Sequence, residues 1–434
     1  MEIYLENIGK VKQAQIKING ITVIAGENDT GKSTIGKALF SMFHGFYHLE
    51  EKIHRDKKEN LARSLYRNFA NKGGQSNSKK KYFEQMADTL LEFFAENDIL
   101  SNEAEEIKKF FQDKYVDLFS VYEVENFVSD VLEIIKIPSA EIGKSILSQT
   151  LNTEFYNQVN SLQTKDEGKI ELTVKQKINS VVLKKNKVTQ LVENISLETD
   201  VIYLDDPLLL NQVPTIFFPR ETHFHSMNHQ EWLIWNLQND LKFPYLDKVM
   251  GQSIENFVTN DILVEKRLKK IYAKLDIICK GNVISKSNVI GEWAYRQEDT
   301  EEIFLKNLST GLKTFVILKY LLQKGKLSFG STIILDEPEI HVHPEWQLVL
   351  AELIVLMNKE FQVHILLNTH SPYFLRAIEV YSRKHGIADK CEYYLSELIG
   401  DRAEIKNVTG DTELIYKKLW IPLQKLEDEG FADE

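Results

Sequence analysis

The sequence predicts an α/β fold built around a phosphate-binding loop, on three observations. First, the apolar run at 21–24 leads directly into Gly26-Glu27-Asn28-Asp29-Thr30-Gly31-Lys32-Ser33-Thr34. This stretch fills every fixed position of the pattern G-x-x-x-x-G-K-[ST], between a strand and a helix. Second, Thr332-Ile333-Ile334-Leu335 runs straight into Asp336 and Glu337, as in a strand buried on both faces of a parallel sheet. Third, Val363-His364-Ile365-Leu366-Leu367 is a similar run and ends in Asn368-Thr369-His370. Open α/β sheets collect their ligand chemistry at the carboxyl edge, so the acids and the histidine are expected there together.

Composition bounds the rest. A chain of 434 residues has room for two or three domains, or for one domain with a large insertion. With 43% apolar and 27% charged residues it reads as a packed protein rather than a disordered one. It holds no uninterrupted run of 18 apolar residues, so no membrane span is expected. The start, Met1-Glu2-Ile3-Tyr4, lacks the basic and apolar regions of a signal peptide. Cys279 and Cys391 lie far apart in no metal-ligand spacing and read as reduced thiols, which points to the cytoplasm. The net charge of −11 argues against a surface that is all nucleic-acid footprint, while leaving room for a local basic groove.

In chain order, residues 2–25 form a compact β region. Ile3, Leu5 and Ile8 sit in a first run, Ala14, Ile16 and Ile18 alternate in a second, and 21–24 make a third. Asn19-Gly20 predicts a two-residue hairpin between the second and third runs. In the phosphate loop, glycines let successive N–H groups face an anion; Lys32 can reach the β- and γ-phosphates, and Ser33 can ligate magnesium. The helix from Lys32 to about Phe46 carries Ile35, Leu39, Met42, Phe43 and Phe46 near helical spacing. Its positive dipole end faces the anion.

Residues 47–165 read as an α-helical insertion. A charged helical pattern at 48–67 is followed by a polar loop at 71–81 that ends in Lys79-Lys80-Lys81. Three amphipathic helices follow, with stripes Phe83, Met86, Leu90, Leu91 and Phe94; Ile107, Phe110, Phe111, Tyr115 and Phe119; and Val124, Phe127, Val131, Ile134 and Ile135. These aromatics read as helix core and the three lysines as a solvated loop. No heptad pattern is sustained, so no long coiled coil is expected.

Strands return after Lys169. They are expected at 170–174, at 181–183 with a hairpin turn at 184–187, at 201–204 ending in Asp205-Asp206-Pro207, and at 215–218 ending in Pro219-Arg220-Glu221. His223, His225 and His229 have no cysteine or carboxylate spacing that supports zinc, and read as polar loop histidines. A helical segment spans about 228–280 and carries Lys266, Arg267, Lys269 and Lys270 together. Such a patch can meet phosphate or an acidic partner, although a solvated face is the simpler reading. A small meander is expected around 283–284, 293–295 and 303–305.

Leu308-Ser309-Thr310-Gly311 then opens a helix with Phe315, Ile317, Leu318 and Leu321 as its stripe. Alone this is an N-cap; beside a phosphate loop it is a second phosphate-facing helix start. Pro344 opens a helix with Val349, Leu350, Leu353, Ile354 and Leu356. A strand pair, 393–395 and 403–408, follows around Gly400-Asp401. A last helix through Ile415 and Leu419 leads to an acidic, frayed end from Lys425 to Glu434.

The order of phosphate loop, serine–glycine helix start, Asp-Glu strand end and strand-end histidine resembles the ABC-type ATPase heads of the RecF, SMC and OLD-like group. The resemblance is specific at 2–45 and 303–376. It implies a P-loop NTPase of ABC-ATPase-like architecture, with a mixed β lobe and a large α-helical insertion at 47–165; residues 1–46 and 166–434 would make the composite head. It also implies that the loop from Gly26 through Thr34, with Lys32 and Ser33, binds ATP, and that Ser33 and Asp336 hold Mg2+. Glu337 would position the attacking water, and His370 would sense the γ-phosphate. Ser309 and Gly311 of a second copy would close on that phosphate, in a homodimer of heads with ATP sandwiched between them. Residues 339–343 would form the loop that crosses the dimer.

The family signature is more often Leu-Ser-Gly-Gly-Gln; Leu308-Ser309-Thr310-Gly311-Leu312 holds the leucine, the serine and the second glycine but not the first glycine or the glutamine. Gln212 is a candidate for the Q-loop glutamine. OLD-type proteins often carry a C-terminal Toprim nuclease, and the stretch after His370 is too short for one and shows no such acidic cluster. Within that group the chain most resembles bacterial RecF-like AAA ATPases related to the OLD family and to antiphage-defence ATPases. The resemblance implies an ATPase whose nucleotide-dependent dimerisation controls a separate effector, a nuclease or toxin, in bacterial antiphage defence. The alternative is a RecF/SMC-like repair or chromosome ATPase that binds DNA directly, against which the acidic charge and lack of coiled coil both weigh.

Overall fold

A computed structural model describes residues 1–69, 77–96, 103–114, 121–213, 226–242, 258–285, 293–297 and 301–432. The strand expected at 215–218, the segment 219–221, His223, His225, Tyr115 and Phe119 lie outside the described residues. The chain divides into two compact units, one of Met1–Tyr47 with Leu147–Glu434 and one of His48–Ile146.

The strands are β1 (Glu2–Ile8), β2 (Val11–Lys17), β3 (Ile21–Gly26), β4 (Gly168–Val174), β5 (Lys177–Lys184), β6 (Lys187–Val192) and β7 (Val201–Leu204), then β8 (Asn282–Ser285), β9 (Trp293–Arg296), β10 (Ile303–Phe304), β11 (Thr332–Asp336), β12 (His364–Thr369), β13 (Cys391–Ile399) and β14 (Arg402–Asn407). Eleven of them form one sheet in the order β6-β5-β4-β1-β2-β14-β13-β3-β12-β11-β7, and β8 to β10 form the expected small meander. From β13 through β3, β12 and β11 to β7 every pairing is parallel. From β6 to β2 every pairing is antiparallel.

The two halves are patterned differently. Strands β3, β7 and β11 are buried at every position, as apolar runs covered on both faces must be. In β4 buried and half-buried positions alternate through most of its length, the period-two signature of a strand with one core face.

The helices are α1 (Lys32–Phe46), α2 (Leu49–Phe69), α3 (Asn77–Glu96), α4 (Glu103–Lys114), α5 (Val121–Lys136), α6 (Ser139–Glu154), α7 (His229–Lys242), α8 (Val258–Leu275), α9 (Thr310–Gln323), α10 (Pro344–Phe361), α11 (Pro372–Lys384) and α12 (Glu413–Ala432). In the first unit, Phe315, Ile317 and Leu321 of α9 and Leu350, Leu353 and Ile354 of α10 share one core with Ile333, Leu335, Ile365 and Leu367 of the parallel strands. In the second unit, Leu61, Leu65, Phe83, Met86, Leu90, Ile107, Phe110, Phe111 and Val131 make a core of their own. Its aromatics are helix core, as their spacing predicts. Among the described residues no helix is long and apolar enough to cross a membrane.

Several expectations need correction. Asn19-Gly20 is not a hairpin: β2 pairs with β1 and β14, while β3 takes parallel partners on both sides. Gly20 serves a different need, since a Cβ there would lie 2.2 Å from the Lys390 carbonyl oxygen. The tight hairpin is instead β1–β2, turned at Gly9 with φ +51°. Lys79, Lys80 and Lys81 belong to the start of α3 rather than to a loop, where lysine is a good helix former. The last helix continues to Ala432 through the stretch expected to fray. The second unit, His48–Ile146, lies within the expected insertion, 47–165, and Leu147 of α6 packs in the first unit, where a Cβ at Gly45 would lie 2.3 Å from it. The basic run in α8 is partly engaged: Lys270 pairs with Glu360 at 2.8 Å, and Arg267 donates to the Glu360 carbonyl.

Candidate nucleotide site

Strand register assembles the site. Ala25 of β3 lies opposite Thr369 of β12, Asn368 of β12 opposite Asp336 of β11, and Leu335 of β11 opposite Leu204 of β7. Four parallel strands thus end in one row. The phosphate loop follows β3, His370 follows β12, Glu337 follows β11, and Asp205-Asp206 follows β7.

The loop is held from both sides. Thr30 Oγ1 donates to the Glu27 carbonyl at 2.8 Å, and Ser396 Oγ of β13 donates to the Thr30 carbonyl at 2.6 Å. Gly26 must be glycine because a Cβ would lie 2.3 Å from the Ser396 carbonyl oxygen. Gly31 caps α1 with φ +85°, a left-handed conformation that glycine adopts without strain. Glu27, Asn28, Asp29 and Ser33 are exposed. Asp29 pairs with Lys10, and Glu27 lies 3.4 Å from Lys418. Lys32 is buried, and its ammonium donates to the carbonyls of Gly26 at 3.1 Å and Glu27 at 2.7 Å. Burial pulls its pKa below the usual lysine value, against the opposing pull of Glu337, Asp336 and Glu339.

Asp336 is buried and receives a donor from each neighbouring strand. Tyr203 of β7 donates to Oδ2 at 2.9 Å, and Asn368 of β12 donates to Oδ1 at 3.0 Å. Glu337 sits at φ +49°, a strained conformation for a residue other than glycine. The strain is fixed by its own N–H, which donates to the Asn368 carbonyl at 2.9 Å. Its Oε1 lies 3.1 Å from His370 Nδ1, a close approach whose angle makes no hydrogen bond. A cavity of about 350 Å³ is lined by Ser33, Asp336, Glu337, Asp205, Asp206 and Thr314 among others. The aspartates of the β7 end, rather than Gln212, supply its wall.

The loop after β11 is anchored inward at its start. Glu339 is buried and accepts a hydrogen bond from Thr369 Oγ1, and burial raises its pKa above the usual glutamate value. Ile340, His341 and His343 beyond it are exposed. Ser309 is exposed at the N-cap of α9 and makes no side-chain capping bond. Gly311 packs on the loop after β11, where a Cβ would lie 2.8 Å from the His341 carbonyl oxygen. The Ser309–Gly311 helix start is therefore built beside the acids' exit loop.

One part of the site has no signal in the sequence. His229 is not a polar loop residue: it opens α7 and is buried. Its Nδ1 lies 2.7 Å from Glu154 Oε1, its backbone N–H donates to Glu154 Oε2 at 2.9 Å, and its Nε2 lies 2.9 Å from Asp205 Oδ2. Burial alone would lower its pKa; the contacts with Asp205 and Glu154 overcome that and raise it to about 9. The ring stacks on Tyr203, with centroids 4.1 Å apart. Burial, and then the Asp336 charge, push the Tyr203 phenol well above its usual range, so the hydroxyl keeps its proton and donates.

Among the described residues no group of three or more histidine, cysteine or acidic side chains is placed to hold a metal. The hard oxygens of Ser33 and Asp336 suit the partial set that magnesium takes from a protein when phosphates and water supply the rest.

The sequence profile of the AAA ATPase domain family matches residues 1–375. Over 131 residues the chain is 28% identical to the retron Vc95 probable ATPase of Vibrio cholerae serotype O1 biovar El Tor, an alignment spanning 30% of this chain and 23% of that protein. The chain thus matches less than a quarter of that relative's length. Among solved structures, the SMC head domain from Thermotoga maritima aligns with 94% of this chain and 98% of its own, at 11% identity and a TM-score of 0.38. The Smc head bound to the C-terminal domain of ScpA, derived from Pyrococcus furiosus, aligns with 98% of each chain at 11% identity and a TM-score of 0.41. At such scores the likeness carries no weight beside the family match and the strand order.

Proposed function

This chain belongs to the AAA ATPase domain family, and we propose that it closes as a pair of heads on two ATP molecules and hydrolyses them. The observation that carries this reading is the exposed, uncapped helix start at Ser309 in a chain whose loop, acids and histidine are gathered at one sheet edge. Loop, acids and histidine share one strand edge, while the Ser309–Gly311 helix start packs on the loop after β11 and leaves Ser309 exposed with no side-chain capping bond. A second copy is what would bring that helix start to the γ-phosphate, where its N–H groups and the Ser309 hydroxyl would meet negative charge.

Within one copy, the loop N–H groups from Gly26 onward and the start of α1 would cradle the phosphates. Lys32 would exchange the carbonyls of Gly26 and Glu27 for phosphate oxygens. Ser33 and Asp336 would hold the magnesium ion, which neutralises phosphate charge during transfer. Glu337, whose backbone is pinned to Asn368, would accept a hydrogen bond from the attacking water and orient it. His370, beside Glu337, would join that water to the γ-phosphate. Phosphoryl transfer asks for positioning and charge stabilisation, and these residues are of the types that provide both.

The relative is named a probable ATPase of a retron. By extension, this chain would be the nucleotide-driven part of a multicomponent antiphage system, switching a separate nuclease or toxin through the closed pair. The alternative of direct DNA binding has less support, since part of the basic patch in α8 is engaged with Glu360.

The test is Glu337→Gln. ATP binding is expected to remain, while turnover falls by about 10²- to 10⁴-fold, and ATP is expected to hold the protein as a dimer on gel filtration. Turnover at the wild-type rate would remove Glu337 from the mechanism, and a monomer at saturating ATP would remove the paired site.

A further inference from the structure

We propose that Tyr203, clamped by the His229 ring, is a positioning residue for Asp336 and sets how tightly the site takes a divalent cation. This rests on the reading of Asp336 as the cation-side acid. Tyr203 lies opposite Ile334 in the strand register, two residues before Asp336, so the two side chains share one face of the sheet. Reaching a diagonal neighbour takes a long side chain, and the Tyr203 hydroxyl does so, donating to Asp336 Oδ2 at 2.9 Å. Asn368 holds the other oxygen from the opposite strand. With one lone pair of each oxygen engaged inside the sheet, the carboxylate is fixed in rotation, and its remaining lone pairs are left for the cavity that Ser33 also lines.

The tyrosine is itself immobilised. His229 stacks on one side of its ring, with an interplanar angle of 23°. That imidazole is held by Glu154 and lies 2.9 Å from Asp205, which also lines the cavity. Phe40 of α1 meets both rings, tilted on Tyr203 and edge-on to His229. Above the hydroxyl, α1 carries a glycine: a Cβ at Gly36 would lie 3.0 Å from Tyr203 Oη. Glycine is a poor residue for a helix interior, and here it leaves the room that the hydroxyl needs. An arrangement that fixes the ring, clears space for its oxygen and aims its one donor at Asp336 acts on orientation, as the outer-shell partners of metal ligands do.

Full-length wild type, Tyr203→Phe, His229→Gln and Asp336→Asn are loaded with a non-hydrolysable ATP analogue and titrated with Mn2+, with free Mn2+ read by EPR. Tyr203→Phe is expected to raise the half-saturating Mn2+ concentration by about tenfold or more, with analogue affinity in EDTA unchanged. His229→Gln, which leaves the hydroxyl in place but frees the ring, should shift the curve in the same direction. Superposition of both curves on the wild type overturns the proposal, as does a parallel loss of analogue affinity in EDTA, which marks a structural role alone. If Asp336→Asn also leaves the Mn2+ curve in place, it is the cation reading of Asp336 that falls; if only Asp336→Asn moves it, the positioning role falls alone.

Discussion

The parallel half of the large sheet is apolar on both faces and offers solvent little but the ends of its strands; the antiparallel half alternates and shows one face along its length. In the first, β3, β11 and β7 are buried throughout and each opens into a loop of the candidate site. In the second, β4 and β5 present half-buried and exposed positions between core residues, and no proposed site residue lies on them. Where both faces of a sheet are covered, chemistry can emerge only at the strand termini. The residues that stabilise the parallel half therefore also aim the site, and the two roles separate only in the antiparallel half.

The largest effect expected from that contrast is at Ile334, fully buried on β11 and next to Tyr203 in register. Ile334→Ala should cost about 2–5 kcal/mol in urea unfolding and should lower ATPase activity as well; a loss of stability with full activity would break the link between packing and aim. A smaller effect is expected from pH. The folded pKa of His229, about 9, lies above its ordinary value of 6.5, so the folded state binds the extra proton. Its contribution to stability should be complete below about pH 6.5 and disappear as pH rises through about 9. Thermal melts across that window should show a fall that His229→Gln removes; equal slopes in both proteins would contradict the ion cluster. The smallest effect is expected in the other half. Ile178 on β5 is 40% exposed, and Ile178→Ala should cost no more than about 1 kcal/mol with ATPase activity unchanged. A larger loss would mean that the antiparallel half supports the site after all.

Legibility in the sequence follows the same line. The run from β3 through the loop into α1, the strand ends at Asp336 and His370, and the meander are local patterns, since each is written in consecutive residues. Asn19-Gly20 misleads because turn chemistry is local, whereas the partners of β3 are the distant strands β12 and β13. The Glu154–His229–Asp205 cluster could not be read, because its members come from a helix end, a helix start and a strand end. Only the fold brings them together. The donors to Asp336 are hidden for a similar reason: Tyr203 looks like one more apolar strand residue until the register places it.

The Lys32 ammonium already has two carbonyl partners inside its own loop. On the proposed reading, arrival of a nucleotide would be a displacement reaction, in which the loop's backbone oxygens are the outgoing group. Affinity at this position measures a difference between two sets of bonds rather than the strength of the new set. A ligand that reaches Lys32 with a single weakly basic oxygen gains little over the carbonyls it evicts. One that brings several anionic oxygens would gain much more, so the loop would reject poor anions by competing with them.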